Sequence, residues 1–124
     1  MTKSILAALT LLPFLFGSAH AVCKHPQLAC TAITECMTGV TPPNDRKRIF
    51  DGMDQGNGQL IYDGTQACHN DGSFSTKMDD AFKACSNDEY VTIARGIIAN
   101  KNDRSWCMKY PEDTGSLPTR TKPS

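Results

Sequence analysis

The chain has 124 residues with 13 basic and 13 acidic side chains, so its formal net charge is zero. This length allows one domain but not two. A neutral balance disfavours electrostatic binding to nucleic acid or to an anionic membrane, because both require a surplus of basic side chains. We therefore expect no nucleic-acid partner.

Residues 1–21 have the organisation of a secretory signal peptide. Lys3 supplies the basic start, residues 5–16 are uncharged and apolar, and residues 19–21 (Ala-His-Ala) fit the small-x-small cleavage rule. The apolar stretch is shorter than the roughly 20 residues of a membrane span. We expect cleavage after Ala21 and a mature protein that is secreted, extracellular and not stably inserted in a membrane.

Six cysteines remain in the mature chain, and this even number in an exported protein predicts up to three disulfides. The pairing stays open, because six cysteines can be joined in many ways. If residues 27–38 form a helix, Cys30 and Cys36 lie on different faces, about 9 Å apart along the axis. Each must then reach another segment of the chain. The predicted disulfide cysteines are Cys23, Cys30, Cys36, Cys68, Cys85 and Cys107.

Apolar residues recur at helical spacing in four segments, which predicts a mainly α fold stapled by disulfides. The last segment is also rich in β-branched residues, so a strand over residues 90–98 and a compact α+β sandwich form the alternative. The four predicted helices are 26–37, 45–53, 76–85 and 88–98.

A small β-hairpin is predicted between the second and third helices. Residues 55–58 (Gln-Gly-Asn-Gly) break the helical pattern, and Asp63-Gly64 has the composition of a hairpin turn between residues 59–62 and 65–68.

The end of the chain is predicted to be irregular. Residues 106–110 are expected to form a short strand or extended segment held by Cys107. Residues 111–124 are rich in Pro, Thr, Ser and charge, which is typical of a disordered tail. The disulfide-rich domain is therefore expected to span residues 22–110.

The sequence supplies no metal or cofactor site. The cysteine spacing lacks the close pairs of zinc sites. Residues 53–64 have the cadence of a calcium-binding EF-hand loop, but Met53 and Gly64 occupy its first and last ligand positions. We expect a turn there, no metal ligand and no cofactor.

Catalysis also has little support. His69 could act as a general base with Asp71 or Asp79, but a histidine in a turn is more typical of an exposed polar loop residue. No serine-nucleophile or metalloprotease motif is present, and an even cysteine count leaves no obvious free thiol. We expect no catalytic residue, and a small hydrolase at His69 is the least favoured function.

Two features indicate processing and recognition. Lys47 and Arg48 lie in a basic triplet that is a candidate cleavage site for a dibasic endoprotease of the secretory pathway. A cut after Arg48 would leave three cysteines on each side, so at least one disulfide would have to join the pieces. Trp106 and Tyr110 are candidate interface residues, although Trp106 beside Cys107 also suits packing against a disulfide.

The leader segment SILAALTLLPFLF and the Lys47-Arg48 pair give the chain the organisation of a known class. It resembles the small secreted cysteine-rich proteins of filamentous fungi, many of which are effectors delivered to a plant host. The resemblance implies a non-enzymatic effector with a role in virulence, a monomer that binds a host or extracellular protein. A killer-toxin-like or membrane-perturbing protein, processed after Arg48, is the alternative.

Overall fold

The computed structural model describes residues 23–70, 72 and 74–115. The predicted leader and residues 116–124 of the predicted tail lie outside this part. Within it, the mainly α prediction is confirmed, because the chain folds into five α-helices and one 3-10 helix. They are α1 (Pro26–Thr38), α2 (Pro43–Gln55), α3 (Gly58–Cys68), α4 (Thr76–Lys83), α5 (Asn87–Ala99) and the 3-10 helix Trp106–Lys109.

The predicted β-hairpin is wrong, because α3 occupies the residues assigned to it. The Asn57 side chain caps this helix by accepting hydrogen bonds from the backbone N–H groups of Gln59 and Leu60. Gly64 is not a turn residue but the point where α3 approaches α2: a Cβ there would lie 2.8 Å from the backbone oxygen of Asp45. The described residues contain no strand, only one isolated antiparallel bridge.

The alternative strand over residues 90–98 is also wrong, because these residues belong to α5. Ser86 caps this helix by accepting a hydrogen bond from the backbone N–H of Glu89. Asp88 lies in its first turn, where negative charge is favourable next to the helix dipole. These start signals, together with burial of the apolar face, outweigh the preference of β-branched residues for strands.

Of residues 106–110, predicted to be extended, Trp106–Lys109 form the 3-10 helix instead, and only Tyr110 is extended. The Asp103 carboxylate accepts hydrogen bonds from the backbone N–H and the hydroxyl of Ser105. The backbone oxygen of the same aspartate accepts a bond from the N–H of Trp106. This local hydrogen bonding bends the chain into a helical turn before Cys107.

The core lies where α1, α3 and α5 meet, and α2 and α4 close its sides. An aromatic cluster occupies one end, with the ring of Phe82 5.2 Å from Tyr62 and 5.0 Å from Tyr90. Aliphatic side chains from four helices fill the rest without any solvent exposure. They are Ile33, Ile49, Ile61 and Ile93.

Residues 111–115, at the start of the predicted tail, are hydrogen-bonded to the beginning of α1. The carbonyl of Pro111 accepts a bond from the N–H of Gln27. Thr114 donates its backbone N–H to the carbonyl of Lys24 and its hydroxyl to the carbonyl of Cys23. This segment therefore packs alongside the N-terminal end of the described chain.

Candidate functional site

Three disulfides staple the fold, as predicted. They join Cys23 to Cys85, Cys30 to Cys107 and Cys36 to Cys68, so none of the six cysteines is free. Cys30 and Cys36 each reach another segment, which confirms the inference from helical geometry. The bridges fasten the N-terminal end of the described chain and α1 to three separate later segments, so the surface that these segments form is pre-organised.

His69 is buried, which makes its prediction as an exposed loop residue wrong. Its side chain is 3% exposed, and its ring stacks on Phe74 with centroids 3.7 Å apart. Its Nε2 atom lies 3.2 Å from the carbonyl oxygen of Ala32 and 3.8 Å from the carboxylate of Glu35. The error follows from the predicted hairpin, which placed His69 in an exposed turn. In the structure His69 directly follows α3, and the disulfide between Cys68 and Cys36 of α1 holds it against α1.

Asp79, a candidate acidic partner of His69, is held by other side chains. Burial raises the pKa of Asp79, but hydrogen bonds from Gln66 and Lys83 outweigh it and keep the pKa below its usual range. Both bonds are 3.0 Å long. Asp79 and His69 line the same surface depression, yet the charge of the carboxylate is already balanced by Lys83. Asp71, the other candidate partner, lies outside the described residues.

The structure also accounts for the residues considered as metal ligands. The ligand atoms of Cys36, Cys68 and His69 lie within 4.8 Å of one another. The two sulfur atoms are bonded to each other, however, so they are not thiolates available to a metal. Within residues 53–64, the segment considered for calcium, the expected turn is limited to residues 56 and 57. The other residues belong to α2 and α3, and the side-chain oxygen of Asn57 caps α3.

The candidate processing site lies inside α2. Lys47 forms an ion pair with Asp51 at 2.7 Å, and Arg48 lies 3.9 Å from the carboxylate of Asp45. Each of the three disulfides joins a cysteine before Arg48 to one after it. A cut there would require α2 to unwind locally and would leave the two pieces joined by three bridges.

The two candidate interface residues lie together on one face. The rings of Trp106 and Tyr110 meet edge to face, with centroids 5.6 Å apart. Trp106 is half-buried and lies flat on α5 where Gly96 leaves room for it: a Cβ at that position would lie 2.6 Å from the indole Cζ2 atom. Burial raises the pKa of Tyr110, and the negative charge of Glu89 adds to the effect.

Trp106 also forms one wall of a groove of about 250 Å³. The groove lies between the C-terminal halves of α1 and α5 and the loop that follows α5. Ile97 and Cys107 also line it, and the Cys107 sulfur is 3.2 Å from the hydroxyl of Thr34. Lys101 and Arg104 stand on its rim. The lining combines the Trp106 ring with the polar side chains of Thr34, Thr38 and Asn100 and with two exposed cations.

The indole N–H of Trp106 is buried and has no hydrogen-bond acceptor among the described residues. An unpaired buried N–H costs about 1–3 kcal/mol. Phenylalanine at this position would fill much of the same space without that cost.

The sequence pattern predicted Trp106 and Tyr110 but missed the residues that make the groove. Gly96 offered a signal, because a glycine within the apolar stripe of a helix often marks the close approach of another group. Lys101 and Arg104 offered none, because isolated charges after a helix are common in solvated loops. Their position beside Trp106 depends on the Cys30–Cys107 disulfide.

Comparison with protein families, with curated proteins and with solved structures finds no match for this chain. None of the helices between residues 23 and 115 that the structure describes has the length and apolar character to cross a membrane.

Proposed function

We propose that this protein is a secreted, non-enzymatic binding protein that contacts an extracellular or host protein through the face around Trp106 and Tyr110. The observation that carries the proposal is the environment of Trp106. This residue is the only tryptophan in the chain, it lines a groove, and its buried N–H has no acceptor among the residues that the structure describes. Tryptophan is the residue type most enriched among those that dominate binding energy at protein interfaces.

The disulfides give further support to a binding function. All six cysteines are paired, and Cys107 of the Cys30–Cys107 bridge lines the groove. A surface held in place before binding loses less conformational entropy when a partner docks. Three disulfides are also typical of small proteins that act outside the cell.

The alternative functions receive less support from the geometry. A hydrolase at His69 would need an accessible imidazole, and this ring is covered by Phe74. A toxin processed after Arg48 would need a protease to cut within α2. An effector role in a plant host follows from the resemblance in sequence and belongs to the proposal.

Differential capture tests the proposal. The oxidised secreted protein is immobilised and exposed to plant apoplastic fluid, and the retained proteins are compared with those retained by Trp106→Ala. We expect at least one protein to be retained by the wild type and lost from the variant, with Kd weakened by about 30-fold or more, as for a residue that dominates an interface.

Met108→Ala is the matched control. Met108 is 64% exposed on the same 3-10 helix but does not line the groove. Its replacement should leave capture unchanged, and urea unfolding of both variants verifies that each is folded. If both variants retain the same proteins as the wild type, the binding face lies elsewhere and the proposal is wrong.

A further inference from the structure

The groove beside Trp106 carries positive charge that the fold does not use. Its one carboxylate, Asp103, is fully engaged: hydrogen bonds from Ser105 and Lys109 lower the pKa of Asp103 to about 2. The Lys109 ammonium lies 2.9 Å from this carboxylate. Asp103 is therefore ionised, and its negative charge is offset by Lys109.

Lys101 and Arg104, by contrast, are exposed and form no hydrogen bond or ion pair with the residues that the structure describes. Some other cations of the described chain are paired, as Lys47 is with Asp51 and Lys83 with Asp79, but at the groove two exposed cations without a described partner lie on one short loop. Because the whole chain is neutral, the surplus at the groove is local. A local surplus of positive charge next to the half-buried Trp106 ring favours a ligand that combines negative charge with an apolar group.

We propose that this groove receives an acidic peptide segment of the partner protein. A carboxylate side chain of the segment binds Lys101 and Arg104, and a neighbouring apolar side chain lies against Trp106. The proposal rests on the proposed function, because it identifies the chemistry of the partner at the same site.

The size of the groove favours a peptide side chain over a small-molecule ligand. Its volume of about 250 Å³ is below the roughly 300–1,000 Å³ of pockets that enclose drug-sized ligands. The chain's own C-terminal residues 116–124 do not fit the charge, because they contain Arg120 and Lys122 and no acidic side chain.

Selection from a library of random 12-residue peptides displayed on phage tests the proposal, with the full oxidised secreted chain as target. We expect enrichment of peptides in which Asp or Glu stands next to an aromatic or aliphatic residue. An enriched peptide is then synthesised together with a counterpart in which Asn or Gln replaces the acid. The loss of two exposed charge contacts should weaken binding by roughly five- to thirty-fold.

The matched variants remove two positive charges each. Lys101→Gln/Arg104→Gln should weaken binding of the acidic peptide by the same factor as the amide counterpart. Lys47→Gln/Lys77→Gln, which changes two exposed lysines outside the groove, should stay within about twofold of the wild type. Raising the salt concentration should weaken binding to the wild type but not to the first variant, because salt screens exposed charges.

Selected peptides that are neutral or basic, or that bind Lys101→Gln/Arg104→Gln as well as the wild type, overturn the proposal. The proposal is also overturned if no selected peptide depends on these two cations for binding, or if a second copy of the chain occupies the groove. If the selected peptides depend on Trp106 but not on the cations, the acidic partner is wrong while the binding face stands. If acidic peptides bind as expected but the captured protein binds Trp106→Ala as tightly as the wild type, the proposed function is wrong.

Discussion

Replacing Gly96 with alanine should separate the stability of α5 from the position of Trp106. Alanine favours a helix over glycine by about 1 kcal/mol, so the change alone would stabilise α5. The new Cβ would, however, lie 2.6 Å from Cζ2 and 3.2 Å from Nε1 of the indole. Ordinary contacts begin at 3.4 Å, so the ring must move outward by about 0.8 Å.

Overpacking of this kind costs about 1–3 kcal/mol. After subtraction of the gain in helix propensity, we expect Gly96→Ala to be up to about 2 kcal/mol less stable than the wild type. The same displacement should change the tryptophan emission spectrum and the near-ultraviolet circular dichroism, because both report on the packing of the single indole. Binding to the captured partner should weaken by more than the stability change predicts.

Thr92→Ala is the matched control for this measurement. Thr92 is exposed one turn earlier on α5, where alanine has only a propensity effect, and the substitution should stabilise the protein by about 0.5 kcal/mol. Urea unfolding followed by far-ultraviolet circular dichroism gives both values. If Gly96→Ala is stabilised by the full propensity gain and its tryptophan emission is unchanged, the close packing of Trp106 on Gly96 is wrong.

Three further predictions follow from the fold. Thr65→Val should raise the free energy of unfolding by about 1 kcal/mol, because it removes a buried hydroxyl that has no partner among the described residues; destabilisation in urea would reveal a hidden hydrogen bond. Burial raises the pKa of Glu89, so the folded state holds its proton more tightly than the unfolded state and the protein gains stability as pH falls from neutral. Glu89→Gln should therefore unfold at a higher temperature than the wild type at pH 7, and the difference should shrink towards pH 4.5; a constant difference would contradict the shift. Because Arg48 lies within α2, mass spectrometry of the secreted protein should show a single chain both before and after reduction of the disulfides. A cut after Arg48 would instead give two separate chains, visible only after reduction.

The local sequence was enough to predict a helix where the residues at its start and the apolar stripe along one face indicate the same element. The helix predicted over residues 26–37 spans Pro26–Thr38 in the structure, because its apolar stripe and its N-terminal proline indicate the same element. The helix predicted over residues 88–98 likewise corresponds to α5, where the residues before the stripe provide a cap.

The hairpin prediction failed because glycine occurs both in turns and at positions where two helices pack closely together. Gly58 and Gly64 were interpreted as breakers, but each makes room for a close approach of another segment. A Cβ at Gly58 would lie 2.2 Å from the backbone oxygen of Asn87, and one at Gly64 would lie 2.7 Å from a side-chain carbon of Ile49. Such contacts join residues far apart in the chain, so no local pattern reveals them. The wrong position of His69 followed from the same error.

The candidate site could be predicted only in part for the same reason. Aromatic residue type indicated Trp106 and Tyr110. The groove and its two free cations depend on which cysteine pairs with Cys107, and the spacing of six cysteines leaves that open.

The most direct test of the central claim uses the single tryptophan as a label. Growth with 5-fluorotryptophan gives a protein with one fluorine resonance, since the chain contains one tryptophan. Titration with the captured partner should shift or broaden that resonance to saturation, at the stoichiometry of the complex. A resonance that stays unchanged while the complex forms would place the interface away from Trp106 and contradict the account.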